Sequence, residues 1–479
     1  MQLIVLFAFA SILSLASGDE PLLPRLGAPW LAVCAGAYLL GSAGLAWLAS
    51  QYGLRCLAKE GQPLGQILRR HHVAVVFAQL WVLLGLIALV SVGLCHQLRL
   101  VPWVGNVPMF GEAVAVGLLF LACLIHWRIG YRFDHELRGQ VEQELMLAGQ
   151  PVRAGWSPSQ HMDFNIRFHF LFVAIPLGLI VVLCELLGAL VVRVAPPEAQ
   201  FWANLAVSAL VVGGVFFLSP PLLIRVWRTR RLPDGELRAR LERLAKSVGL
   251  RFRDILIWDT FGVVVNAAVM GMHRRVRYVM ISDAMLEQMD DRQIVAVFGH
   301  EAGHVVHHHM GYFLVFAVGA MLVSLSFTAG VGWLLESNRY HEELKQILLL
   351  VVTAVMWGGA FGWLSRRFER QADVFGAWCA GVDAQAYGAT TQPATDLALG
   401  TEWFISALEN VARLNGLARD AHNWRHGSIA SRVAFLYNWC FNGYSRGAYD
   451  QIVRTIKLAA WAFLAAGLIG MFLTWSAWT

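Results

Sequence analysis

The sequence predicts a mainly α, polytopic membrane protein of about nine spans, with a small sheet-containing domain on its cytoplasmic side. Three observations predict it. Of 479 residues, 57% are hydrophobic and only 15% charged, less charge than soluble chains usually carry. Apolar runs near the roughly 20 residues that cross a bilayer recur along the chain. The largest charged stretch, 225–311, falls between two groups of these runs and alternates short strand-like segments with helical ones.

Taken in order, the first apolar run is 3–17, read as a span. Ala16-Ser17-Gly18 would also suit signal cleavage, but no Lys or Arg precedes the run as a signal requires. Either reading leaves the chain after residue 18 on the same side. Spans follow near 29–49, 73–95, 111–129, 170–192 and 202–224, then 312–335, 346–364 and 456–478. The loop 130–168 is polar and expected to be part helical. Arg55, Lys59, Arg69, Arg70, Arg132, Arg138, Arg153, Arg167, Arg225, Arg228, Arg230 and Arg231 all fall on one side. The positive-inside rule makes that side cytoplasmic.

The net charge of +6 is explained by this asymmetry. No basic run is interleaved with stacking aromatics in a soluble module, so nucleic acid is not an expected partner. Seven cysteines show no CxxC spacing and read as packed free thiols. The segments are therefore a transmembrane region 1–224, a first polar segment 225–311, a transmembrane hairpin 312–364, a second polar segment 365–450, and a last span within 451–479.

Within the first polar segment, Pro233-Asp234-Gly235-Glu236 opens an amphipathic helix through about Val248, with Leu237, Leu241, Leu244 and Ala245 on one face. Asp254–Trp258, Val263–Met272 and Arg277–Ile281 read as strands. Ser282-Asp283 caps a short helix, and Asp290-Asp291 begins the helix that carries His300-Glu301-Ala302-Gly303-His304.

That motif carries chemistry. Histidines four apart share a helical face, so both imidazoles reach one metal ion. The glutamate between them points beside the metal, where a water would be held. The bland alternative is an exposed polar face. Against it, Ile294-Val295-Ala296-Val297-Phe298 and Val305-Val306 bury the helix, and unpaired His and Glu would be costly there. After the transmembrane hairpin comes Glu369-Arg370-Gln371-Ala372-Asp373. An even number of crossings returns Glu369 to the face of His300 and His304. One Zn²⁺ per chain is expected on His300, His304 and Glu369, leaving a position open for water. Asp373, on the face of Glu369, would fix a ligand tautomer. Glu301 would be the general base. His307, His308 and His309 read as a polar cluster at the membrane interface, with a weak second metal site as the alternative. His308 lies about 12 Å along the helix from His300, too far to share its metal.

These residues resemble the zinc-dependent membrane metallopeptidases that include the HtpX heat-shock proteases and the type I CAAX prenyl proteases. The resemblance covers roughly 225–440. It rests on Asn266-Ala267-Ala268-Val269-Met270-Gly271, on Ile281-Ser282-Asp283 through His304, on Glu369 to Asp373, and on His426 with Arg432 six residues later. It implies a zincin-like (gluzincin) catalytic domain and a zinc metalloendopeptidase. In it, Asn266 would bind substrate backbone, His426 would stabilise the oxyanion, and Arg432 would brace the site or hold substrate. The strand at 263–272 would be an edge for an extended substrate. Where the family usually has Pro, this chain has Gly427.

The expected function is hydrolysis of peptide bonds in membrane-associated proteins or peptides by zinc-activated water, facing the cytoplasm. The membrane would be a bacterial inner membrane, with an ER-type membrane as the alternative. Partners would be that substrate and the lipid bilayer; the oligomeric state stays open. Two rivals stand beside this reading. One is a metal-binding scaffold or regulator without catalysis. The other is a transporter, suggested by the many spans and by Glu185 within one.

Overall fold

A computed structural model describes residues 5, 25–59, 64–102, 107, 109–147, 149, 155–334, 348–349, 351–353, 355–386, 393–442 and 446–474. The chain divides into two units: Met1–Arg230 with Trp258–Val264, and Arg231–Ile257 with Val265–Thr479.

The first unit is helical. Its elements are α1 (Ala28–Leu57), α2 (Leu64–Ser91), α3 (Leu94–Arg99), α4 (Phe110–Leu147), α5 (Pro158–Asn165), a π turn (Ile166–Leu171), α6 (Phe172–Val194) and α7 (Pro197–Val226). α1 packs on α2 and α4 around Tyr38, Val82, Leu86, Leu119 and Trp127. The polar stretch 130–168, expected to be part helical, is largely helix among its described residues. α4 runs on to Leu147 because Phe133 is buried and Asp134 pairs with Arg138 one turn later at 2.9 Å. Ser157 and Gln160 form a capping box that starts α5. Glu185 lies on the exposed side of α6.

The second unit holds the sheet and the motifs. Its elements are β1 (Thr229–Arg231, where the chain passes from one unit to the next), α8 (Glu236–Ser247), β2 (Asp254–Trp258), β3 (Ala267–Met270), β4 (Tyr278–Ser282), α9 (Asp283–Gln288), α10 (Asp291–Val306), α11 (His309–Leu334), a second π turn (Val355–Phe361), α12 (Gly362–Ala386), α13 (Pro393–Leu414), α14 (Ile429–Phe441) and α15 (Arg446–Leu473). The sheet order is β1–β2–β4–β3, so β3 is an edge. β3 pairs antiparallel with β4, Ala267 opposite Ile281 and Met270 opposite Tyr278.

The strand expected at Val263–Met272 is shorter than its apolar pattern suggests. The Thr260 hydroxyl bonds to the backbone N–H and carbonyl of Val264 at 3.2 and 3.3 Å. The Asn415 amide takes both backbone groups of Val265, at 3.0 and 2.8 Å. Side chains thus satisfy that backbone where a ladder would have. Ser282 and Asp290 cap α9 and α10 as expected.

Seven helices among the described residues are long and apolar enough to span a membrane: Ala28–Leu57, Gly65–Ser91, Phe110–Gln143, Pro158–Val194, Pro197–Val226, His309–Val331 and Arg446–Leu473. The run 3–17 lies outside the described residues apart from Val5. The run 346–364 is described only in part, and its latter half is a π turn leading into α12.

Candidate metal centre

The site forms where α10 crosses α12. Three glycines let the two backbones approach. A Cβ on Gly303 would stand 3.1 Å from Cα of Ala372, and one on Gly376 would stand 3.0 Å from N of His300. One on Gly299 would reach Cβ of Cys379 at 2.6 Å. A glycine inside a helix asks for a reason, and at Gly303 the reason is the close approach of α12.

The crossing brings His300, His304 and Glu369 together, with ligand atoms all within 4.8 Å of one another. Nε2 of His300 and of His304 are 3.3 Å apart. Glu369 Oε2 is 3.7 Å from the first, and Oε1 is 3.6 Å from the second. Ligands bound at about 2.0–2.1 Å to a tetrahedral Zn²⁺ stand roughly 3.3–3.4 Å apart. Two imidazoles and one carboxylate at these separations fit that ion. Three further groups surround them. Nδ1 of His300 is 3.0 Å from Asp373 Oδ1. Arg432 Nε donates to Asp373 Oδ2 at 3.0 Å and its Nη2 lies 4.0 Å from Glu369. His426 Nδ1 is 2.9 Å from Glu369 Oε1.

The electrostatics follow from burial and these pairs. Burial drives His304 down to about 4, which leaves it neutral near pH 7. Burial also opposes the imidazolium of His300, but the hydrogen bond and charge of Asp373 outweigh it and raise its pKa. Burial works against ionised Glu369, yet the hydrogen bond from His426 and the charges of the neighbouring histidines hold it well below the usual carboxylate range. Asp373 is likewise lowered, against its burial, by Arg432 and His300. Glu301 differs: burial raises it, and only partial compensation comes from His300 and the Val269 backbone N–H. A buried carboxyl with raised pKa is a stronger proton acceptor than an exposed one. Its partner Val269 lies on the edge strand β3.

His426 sits in a loop closed by backbone hydrogen bonds between Asn423 and Gly427, at 2.7 and 3.3 Å. Gly427 has φ +77, which the Pro usual in the family could not adopt. Here the glycine closes the loop. Ser428 then caps α14, whose first turn presents Arg432. Asn266 stands exposed at the head of β3, and its backbone pairs with Ser282 at 2.9 and 3.0 Å. Among the described residues, the hydrogen bonds joining the His, Glu, Asp and Arg side chains do not include that of Asn266.

The interfacial reading of His307–His309 needs correction for His309. α10 ends at Val306, and His308, exposed, takes φ +58. That turn swings His309 back, fully buried, with Nδ1 2.9 Å from Nδ1 of His304 and its ring stacked on Phe368 at 4.3 Å. Helical extrapolation missed it, because the helix stops before this residue.

Residues 231–436 match the model of peptidase family M48. A protease HtpX homolog of Pyrobaculum calidifontis is 26% identical over 289 residues, 59% of this chain and 76% of that one. A protease HtpX of Xylella fastidiosa is 29% identical over 161 residues, 32% of this chain and 55% of its own. A CAAX prenyl protease 1 homolog of Arabidopsis thaliana is 28% identical over 186 residues, 36% of this chain and 43% of its own. The chain thus spans about half the length of the last two. In fold it is similar to the crystal structure of S. mikatae Ste24p, with TM-score 0.50 and 14% identity, over 86% of this chain and all of that one. The segment that brings both motifs to one centre is therefore similar to peptidase family M48, in a chain with several helices long and apolar enough to span a membrane and with likeness to HtpX and CAAX prenyl proteases.

Proposed function

We propose that this protein is an integral-membrane zinc metalloendopeptidase acting on membrane-associated proteins or peptides. The observation that carries this reading is the donor set of His300, His304 and Glu369, 3.3–3.7 Å apart, with Glu301 on the same helix. Zinc bound there supplies Lewis acidity to a water and to the scissile carbonyl. Glu301 takes the proton of the attacking water. A carbon–oxygen bond forms, the carbon–nitrogen bond breaks, and Glu301 passes the proton to the leaving amine. Arg432 holds Asp373, and Asp373 holds His300, so the ligand ring is oriented before substrate arrives. His426 and Asn266 would serve the oxyanion and the substrate backbone.

The free edge of β3, next to Glu301 through Val269, suits an extended substrate that adds as a strand. Recognition through backbone would make the enzyme tolerant of sequence. The basic loops support a cytoplasmic catalytic face.

The test is zinc analysis of the purified protein together with unbiased peptide-library cleavage, for wild type and Glu301→Gln. Wild type should hold one zinc per chain and cut extended peptides. A chelator should stop cleavage and added zinc restore it. Glu301→Gln should keep the zinc and lose roughly 10²–10⁴-fold in turnover. Zinc bound without cleavage by wild type would favour the scaffold reading. Undiminished turnover in Glu301→Gln would rule out the proposed base.

A further inference from the structure

The two ligand histidines are held in different ways. Each imidazole that gives one nitrogen to a metal must carry its proton on the other, and that N–H needs an acceptor. His300 has Asp373. His304 has a neutral-type partner, His309, at 2.9 Å between their Nδ1 atoms. With Nε2 of His304 committed to the metal group, its Nδ1 carries the proton and His309 Nδ1 accepts. His309 then carries its own proton on Nε2, which lies 2.9 Å from Oε1 of Gln371. Gln371 Nε2 in turn donates to Oδ1 of Asp450 at 2.6 Å. Every donor in this series finds an acceptor in one direction, ending on a carboxylate. The alternative tautomer of His309 would set two N–H groups against each other at His304 and leave Gln371 to flip its amide, losing the bond to Asp450.

We infer that His309, Gln371 and Asp450 form a relay that positions His304 for the metal, and that the last apolar helix, α15, is thereby part of the metal centre. This rests on the proposed zinc site. The relay is buried: His309 is 0% exposed and Gln371 3%. Its end is anchored. Arg446 Nε is 3.6 Å from Asp450, on the same first turns of α15. Lys457, further along α15, donates to the carbonyl of His307 at 2.7 Å. α15 also packs along α11, whose first residue is His309. The chain thus orients one ligand through α12 and α14 and the other through α11, α12 and α15. His309, Gln371 and Asp450 are positioning residues, since none of them reaches the metal group itself.

The experiment is chelator competition for zinc in the full-length protein, with thermal unfolding read in parallel. The variants are His309→Leu, His309→Asn, Gln371→Met and Asp450→Asn. His309→Leu should weaken zinc retention about 10–100-fold, the range for loss of a ligand's outer partner. His309→Asn keeps an acceptor for His304 and should recover most of that loss. Gln371→Met and Asp450→Asn keep His309 and should each weaken retention by a smaller factor. If His309→Leu fails to fold, the other three decide. Wild-type retention in Gln371→Met and Asp450→Asn, or in a folded His309→Leu, overturns the relay. Equal loss in His309→Asn and His309→Leu also overturns it, since packing alone would then explain the effect. Absence of zinc from wild type would instead remove the proposed function on which the relay rests.

Discussion

The two units of this chain bury polar groups in opposite ways. In the first, buried side chains mostly bond to the backbone, often of their own helix. Ser42 donates to the carbonyl of Tyr38 at 2.8 Å, Asn165 to that of His161 at 2.8 Å, and His126 Nδ1 meets that of Ala122 at 3.0 Å. Each is one turn back. The Arg99–Glu112 pair is an exception that joins two elements. In the second unit, the buried groups bond side chain to side chain across elements: His300 to Asp373, Asp373 to Arg432, His309 to Gln371, Arg240 to Asp383. A local bond solves the burial problem of one residue and leaves its helix free to be placed by packing. A bond between elements fixes where the elements sit. Only the second kind can hold three ligand atoms within a few tenths of an ångström of a tetrahedron.

The largest break in that contrast should come at Asp373, which is fully buried and serves two partners. Asp373→Asn leaves the Arg432 guanidinium without its main counter-charge and weakens the hold on His300. Zinc retention should fall about 10–100-fold, and stability should fall by about 3–5 kcal/mol, the range for a broken buried ion pair. Chelator competition and a denaturation curve read the two losses separately. Stability lost with zinc retention intact would mean that Asp373 braces the crossing of α10 and α12 without orienting His300.

The next break separates bracing from ligation. Arg240 on α8 meets Asp383 on α12 through its Nε–H, 3.0 Å from both carboxylate oxygens, and through Nη2, which donates to Oδ2 at 2.5 Å, both residues buried. This pair lies ten residues beyond Asp373 along α12 and touches no ligand. Asp383→Ala should lower stability by about 3–5 kcal/mol, with zinc affinity per folded molecule unchanged. Replacing both partners, as Arg240→Met with Asp383→Leu, should restore most of the loss, because the desolvated charge goes with its partner. Unfolding midpoints of the single and double variants, with zinc content measured beside them, check this. A double variant as unstable as the single one would show that shape, not charge, holds α8 to α12.

How far the chain could be read in advance follows the same division. His300, His304, Glu369 and Asp373 were legible because their spacing is helical and their flanks apolar, so one turn of geometry relates each pair. β2 was legible to the residue, as Asp254–Trp258. The rest was hidden wherever a side chain overrode the local pattern. Thr260 and Asn415 hold Val264 and Val265 so that β3 starts only at Ala267, and no periodicity reports that Asn415 lies 150 residues from its partner. The left-handed turn at His308 sends His309 to His304, while the pattern alone continues the helix. Gly303 and Gly376 were visible as letters, but what they approach is set by the other helix. The membrane helices were legible as apolar runs. The polar stretch 130–168 is expected to be part helical, and how far the helix runs, to Leu147, is hidden because α4 continues past its apolar part.

The smallest effect should come from the first unit. Ser42 is fully buried on α1 and donates one turn back to Tyr38. Its bond duplicates an acceptor the helix already uses, and such back-bonding slightly strains a helix. Within a membrane bundle, side-chain hydrogen bonds contribute only about 0.6 kcal/mol on average. Ser42→Ala should therefore shift stability by no more than about that amount, removing the hydroxyl and its acceptor demand together. Thermal unfolding in detergent, run beside Asp383→Ala, reads the difference. A loss in Ser42→Ala as large as in Asp383→Ala would mean that local bonds also set helix positions in the first unit. The contrast between the units would then lie in which groups are buried, and no longer in how they are satisfied.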